Sequence, residues 1–214
     1  MSLNKGIEGT LKDVFGDEFK VNLYGDACYI EFFHAENPAS IAVGLITYPS
    51  SIKVRETCTV FKRFDEVESI LQPILDKYKI NLGFWKSTIF KDFKVDQYEF
   101  DKEDFTAIKG VFENIKSIGL SQRVEFLDLY KELNQVYEAS EKMEVKEMVG
   151  FISQPLALRR MVIKKLCNDR GFEDFCSQYI ESAQKKAKAK PSQFKGYDKA
   201  SEELYSILKS IHLV

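Results

Sequence analysis

The spacing of apolar side chains changes near position 100, and this change constrains the fold more than any other feature of the chain. Before it, apolar and polar residues alternate in several short segments, which is the period of a strand with one buried face. After it, apolar residues recur at every third or fourth position, the period of an amphipathic helix. The sequence therefore predicts an α+β protein with its strands in the N-terminal part and an all-helical C-terminal part.

Short links join the first four segments predicted to be strands, of which the third is nearly all apolar, and this favours an antiparallel meander. These four segments are 19–23, 28–32, 41–48 and 54–61. In the fourth, Val54, Cys58 and Val60 share one face, which we expect to be buried. Two further segments, 84–90 and 93–100, bring the predicted antiparallel sheet to five or six strands with packed helices.

An amphipathic helix is predicted at 64–78, between the fourth and fifth strands. Asp65 and Glu68 have the spacing of a capping box, and Pro73 predicts a kink or a break. Beyond residue 100 the apolar stripes predict five or six helices, the first ending at Gly119. We therefore place a boundary between an α+β sheet domain, 1–119, and a helical domain or extension, 120–214.

Charge is distributed unevenly along the chain. Residues 1–150 carry 19 Lys/Arg and 26 Asp/Glu, whereas residues 151–214 carry 12 and 7. An acidic body with a basic end can dock on itself, on a second copy or on an acidic partner. The candidate contacts for a partner or for nucleic acid are Arg160, Lys164, Arg170, Lys185, Lys186 and Lys188.

The first basic residues of this set lie on a helix that is apolar over most of its circumference. Helical spacing makes Arg160 and Lys164 project together from a narrow basic edge. Arg159 and Lys165 fall inside the apolar arc, so each must reach solvent or pair with a carboxylate. Nearby carboxylates that could serve are Asp169, Glu173 and Asp174.

Motifs for catalysis and for metal binding are absent from the sequence. It contains neither GxxxxGK[ST] nor GxGxxG, and its two histidines, His34 and His212, lie far apart. We therefore predict neither a metal nor a cofactor. Cys28 and His34 are six positions apart, about 20 Å along one strand, so these two residues could not share a hydrogen bond as a catalytic pair.

A catalytic arrangement would need suitable strand pairing. Cys58 could then meet His34, and Glu31 or Glu56 could orient the imidazole. The alternative is that the cysteines are small buried residues and the carboxylates point to solvent.

Nothing in the sequence has the length and apolarity of a signal peptide or a membrane-spanning helix, so we expect a cytoplasmic protein without a membrane partner. The favoured hypothesis is a non-enzymatic protein-interaction protein that acts through a protein partner or as a homodimer. One alternative is a nucleic-acid-associated regulator that uses the basic C-terminal helices. The other is a metal-independent enzyme whose carboxylates converge in the fold.

Overall fold

The computed structural model describes residues 5–16, 19–24, 27–32, 39–80, 87–101 and 103–212, with side chains for 6–16, 41–46, 48–80, 87–101 and 103–212. In this part of the chain the elements are α1 Lys5–Phe15, β1 Phe19–Tyr24, β2 Ala27–Phe32, β3 Ala39–Thr47, β4 Ser51–Lys62, α2 Asp65–Lys77, β5 Ile89–Lys94, β6 Tyr98–Asp101, α3 Phe105–Leu129, α4 Leu133–Lys142, α5 Val145–Val149, α6 Leu156–Leu166, α7 Phe172–Ala189 and α8 Tyr197–Ser210.

The predicted α+β class, with an antiparallel sheet and a mostly helical C-terminal part, is confirmed. The strands lie in the order β1-β2-β3-β4-β5, and β6 also pairs with β4. Every pairing is antiparallel. The first four strands form a meander because their short connections return the chain directly beside itself.

The first of two compact units, the sheet unit, contains Met1–Arg63 and Ile89–Tyr130. Helices α1 and α3 pack against each other and against one face of the sheet. Val54, Cys58 and Val60 are fully buried on that face, as predicted. Burial of each such side chain contributes about 1.5–3 kcal/mol to folding.

The predicted helix end at Gly119 is wrong, since α3 continues to Leu129. A Cβ on Gly119 would lie 2.6 Å from Cδ1 of Ile41 on β3. The missing side chain therefore lets the helix approach the sheet closely, and it does not mark a helix end. The predicted boundary after residue 119 falls inside α3, and a division into domains at that point stays a prediction.

The second compact unit, the helical unit, contains Phe64–Thr88 and Lys131–Val214, so α2 belongs to it together with α4 to α8. Helix α2 packs on α6 and α8. The helix continues through Pro73 without a break. The predicted capping box is not formed: the N-cap is Phe64, without a side-chain hydrogen bond, and Glu68 is buried.

Candidate functional site

Strand β4 contains a bulge that interrupts its alternation. Val43 of β3 lies opposite Cys58, whereas Leu45 lies opposite Val54, so four steps on β4 match two on β3. As a result Arg55 and Glu56 are exposed in succession. Bulges bend a strand and re-aim its side chains, and they are frequent beside functional sites.

At the same place β4 changes its outer neighbour. Residues 57–62 pair with β5, and residues 51–54 pair with β6. Between them, the amide of Val95 donates to the carbonyl of Glu56 at 2.9 Å. The backbone around the bulge is thereby held on both sides, while the side chains at the bulge remain open to solvent.

A cavity of about 540 Å³ opens at this bulge, and we call it the bulge cavity. Its walls carry two cations, two carboxylates and three uncharged polar side chains. The lining residues are Ile46, Lys53, Arg55, Glu56, Thr57, Thr59, Asp92 and Gln97. Its volume lies in the range of small-ligand sites, which is about 300–1,000 Å³.

Hydrogen bonds across β4 and β5 order one wall of the bulge cavity. Thr59 Oγ1 donates to Asp92 Oδ1 at 2.6 Å, and Lys94 Nζ donates to Thr57 Oγ1 at 3.1 Å. On the other side the side chain of Arg55 lies across Gly44. A Cβ atom on Gly44 would be only 2.6 Å from Cδ of Arg55. Gly44 therefore gives the Arg55 side chain room over β3.

The Cys58 thiol is unsuited to be a nucleophile. Burial, together with the charge of Asp92, raises its pKa to about 12, so it stays protonated at neutral pH. His34 lies outside the described residues, and the hypothesised Cys58–His34 pair therefore stays a prediction. Strand register places the backbones of Cys28 and Cys58 on either side of Val43.

The two strand carboxylates singled out in the sequence lie at separated backbone positions. Glu31 is opposite Ser40, and Ser40 is opposite Phe61, five positions from Glu56 on β4. That spacing corresponds to about 16 Å along a strand. Glu56 is exposed at the bulge cavity, and the side chain of Glu31 is outside the described part.

In the helical unit, two of the predicted contact residues are held in an internal network. Glu141 accepts from Arg160 at 2.9 Å and from Lys164 at 2.8 Å. Lys164 also pairs with Asp169 at 2.5 Å and is only 6% exposed. The Arg160 guanidinium lies 4.8 Å from the ring centroid of Phe175. These two cations are therefore neutralised within the unit.

The other predicted contact residues lie at the surface. Lys185 pairs with Glu181 at 2.5 Å within α7. Arg170 and Lys188 are exposed, and Lys186 is exposed with its Nζ 5.8 Å from the ring centroid of Phe194. The six candidates thus do not form one surface.

A denser group of exposed lysines lies around the connection between α7 and α8, and only two of its members, Lys186 and Lys188, are among the predicted contacts. We call it the lysine-rich turn; it comprises Lys186, Lys188, Lys190, Lys195 and Lys199. None of the five makes an ion pair within the described part of the chain. Local charge density could have identified this group in the sequence, because residues 182–201 contain a single acidic residue, Asp198.

Arg159 and Glu68 form a buried ion pair in the helical unit. Arg159 is 1% exposed, and its Nε and Nη2 donate to the two carboxylate oxygens of Glu68 at 2.9 and 3.0 Å. Thr88 Oγ1 and Gln72 Nε2 donate to the same carboxylate. A fully hydrogen-bonded pair of this kind is structural, because its polar atoms are already occupied.

This pairing corrects one expectation. Arg159 has its partner on α2, and not among the nearby carboxylates Asp169, Glu173 and Asp174. Near this ion pair, the buried hydroxyls of Ser153 and Ser87 lie 3.0 Å apart. The remaining basic residue of the apolar arc, Lys165, lies with its Nζ 5.6 Å from the ring centroid of Phe172.

Other chemistry is limited in the part of the chain that the structure describes. Burial, followed by nearby carboxylates, raises the pKa of the Cys167 thiol to about 11 and that of Cys176 to about 12. No group of three or more His, Cys, Asp or Glu side chains is arranged to hold a metal ion among the described residues. None of the described helices has the length and apolarity to cross a bilayer.

Comparisons with known proteins add no relative. No protein-family model matches the chain, and no curated protein and no solved structure is significantly similar to it.

Proposed function

We propose that this is a non-enzymatic protein-interaction protein that binds an acidic segment of a partner through the lysine-rich turn. The observation that carries the proposal is five exposed lysines in 14 residues of chain, none of which pairs with a carboxylate among the described residues. An uncompensated cluster of one sign attracts segments of the opposite sign and accelerates their association. The partner is another protein or a second copy of this chain, and a cytoplasmic location stays part of the proposal.

The environment of the turn favours a flexible acidic segment. Lysines present point charges on long, mobile stems, and they do not require the fixed geometry of a guanidinium. Each exposed pair contributes little, about 0–1 kcal/mol, so recognition depends on several pairs together. Affinity for the partner should therefore fall steeply as salt rises, because exposed charges are screened.

Nucleic acid is the second candidate partner, and two observations weigh against it. Arg160 and Lys164 are held by Glu141, which removes two cations from any extended phosphate-binding surface. The aromatic ring near the lysines, Phe194, packs edge-on against Tyr197 at 6.0 Å, so its position is fixed by packing. Single-stranded nucleic acid is usually bound by exposed rings beside the basic residues.

The proposal can be tested with two model polyanions, a labelled octaglutamate peptide and a short DNA duplex. The turn variant K188Q/K190Q/K195Q is compared with K142Q/K146Q/K209Q, which removes the same charge from exposed positions of the same unit. We expect octaglutamate binding at low salt to weaken about tenfold in the turn variant. In the control variant it should change less than about twofold.

Three outcomes would contradict the proposal. Equal binding of octaglutamate by the turn variant and the wild type would remove the turn as the contact surface. Tighter binding of the duplex than of octaglutamate, lost in the turn variant, would favour nucleic acid. Both titrations are repeated at higher salt, where a binding constant that does not fall would exclude an electrostatic contact.

A further inference from the structure

The bulge cavity in the sheet unit is not used by the proposed function, and its lining narrows the class of ligand. The described residues that line it contain no aromatic ring on which a base or a sugar could stack. Ile46 is their apolar member, so the cavity offers little surface to a lipid. Two cations balance two carboxylates, which does not favour a polyanion such as a nucleotide. The lining instead suits a polar ligand that carries both signs of charge.

The charges of the bulge cavity are ordered along the sheet. Lys53 lies opposite Ile46 of β3. Asp92 is aligned with Ala42 of β3, because both lie opposite Thr59 of β4. Positions 42 and 46 are four steps apart, or about 13 Å along β3. The cavity therefore has a cationic end at Lys53 and an anionic end at Asp92. Arg55 and Glu56 lie between these ends.

Several polar groups at both ends have unused capacity for hydrogen bonds and ion pairs within the described residues. In the described part of the chain Lys53 makes no ion pair, and the carboxylate of Glu56 accepts no hydrogen bond. Asp92 uses Oδ1 for the Thr59 hydroxyl, which leaves Oδ2 available. Glu56 and Asp92 are exposed and Lys53 is half-buried, so a ligand can reach all three without a change in the fold.

The geometry points to a site for a short linear peptide in extended conformation. An extended chain advances about 3.3–3.6 Å per residue, so four residues span about 13 Å. The peptide carboxylate would pair with Lys53, and its terminal ammonium would pair with Asp92. Arg55, Glu56 and Gln97 would contact the peptide groups between the two ends. This inference does not rest on the lysine-rich turn.

The site is open to solvent, so we expect weak binding, with a Kd on the order of 1 mM for a peptide without side chains. Tetraglycine is the probe, because it presents only the two end charges and the peptide groups. Glycine tests the need for length, and the N-acetylated and C-amidated forms of tetraglycine each remove one charge. Binding is followed by two-dimensional ¹H–¹⁵N NMR of the full-length protein.

We expect saturable shifts from tetraglycine at residues 53–59 and 92–97, with binding at least fivefold weaker for glycine and for each capped peptide. Lys53→Met and Asp92→Asn should each weaken tetraglycine binding about fivefold. The matched controls Lys109→Met and Glu113→Gln, at exposed positions of α3 in the same unit, should change it less than twofold.

The inference is overturned if tetraglycine produces no saturable shifts at the bulge up to about 20 mM, or if capped and uncapped peptides bind equally. Equal affinity for glycine and tetraglycine would also overturn it, since the separation of charges would then not matter. The comparison of ligands on the wild-type protein decides these points even if Asp92→Asn fails to fold.

Discussion

The sheet unit and the helical unit treat their charged side chains in different ways. In the sheet unit the charged side chains of β4 and β5 lie mostly on the solvent-exposed face. Among the described residues of this unit, the buried charged side chain is Lys62. The helical unit buries Glu68, Arg159 and Lys164. The sheet unit therefore separates polar from apolar side chains by strand alternation, whereas the helical unit accommodates its buried charges by specific ion pairs.

The physical reason lies in the geometry of the two kinds of element. A strand in a sheet covered on one side sends every second side chain to solvent, so charges need no partner. Helix α6 is buried over most of its circumference, and a charge on it must find a carboxylate or leave the core. Arg159 finds Glu68, and Lys164 finds Glu141 and Asp169. The helical unit should therefore respond more strongly to loss of a charge.

The largest expected effect is that of Arg159→Met. This change leaves the Glu68 carboxylate buried without its cation, which should destabilise the helical unit by about 3–5 kcal/mol. Urea unfolding followed by circular dichroism measures the change in the free energy of unfolding. A cost below about 1 kcal/mol would show that the pair is not important for stability.

The matched control replaces both partners, as Glu68→Met with Arg159→Met. With neither charge left in the core, we expect more than half of the lost stability to return. If the double variant is less stable than Arg159→Met alone, the two residues do not act as a pair.

The next largest effect is expected for Lys164→Met, at about 2 kcal/mol, because Lys164 forms charge-assisted hydrogen bonds to two carboxylates. Burial alone would raise the pKa of Asp169 and of Glu141. The hydrogen bonds and the positive charge of Lys164 outweigh burial, with help from Arg160 at Glu141 and from the Gly171 amide at Asp169. Both pKa values therefore lie below the ordinary 3.8 and 4.5.

A carboxyl with a lowered pKa in the folded state stabilises the fold above its unfolded pKa, and this stabilisation is lost as the pH falls through the folded pKa. The wild type should therefore lose stability between about pH 5 and pH 2. Lys164→Met should lose less in the same window, as measured by urea unfolding at each pH. Parallel curves for the two proteins would contradict the assignment.

The smallest effects concern two glycines of α3 in the sheet unit. Gly119→Ala places a Cβ 2.6 Å from Cδ1 of Ile41 and should destabilise the unit by about 1–2 kcal/mol. Gly110→Ala has no atom within 4 Å of the added Cβ and should stabilise by about 0.5–1 kcal/mol. Thermal unfolding of both variants should show opposite signs. Stabilisation by Gly119→Ala would mean that α3 does not pack closely on β3.

Local patterns were sufficient to predict the class of the fold but not the bounds of every element. The predicted break between the strands 84–90 and 93–100 falls inside β5, which spans Ile89–Lys94, and β6 is confined to Tyr98–Asp101. The shared face of Val54, Cys58 and Val60 followed from spacing alone, because apolar side chains on one face of a sheet are buried together. The end predicted at Gly119 failed, because a glycine that allows close packing looks the same in sequence as one that ends a helix.

By itself the sequence determined the α+β class, the mostly helical C-terminal part, and the excess of lysine near the C-terminus. These properties depend on neighbours within a few positions, and their periods are visible in the chain. Only the tertiary structure decided the bulge in β4, the bulge cavity beside it, and the pairing of Arg159 with Glu68, 91 positions away. Such contacts join distant segments, and their choice depends on how whole elements pack together.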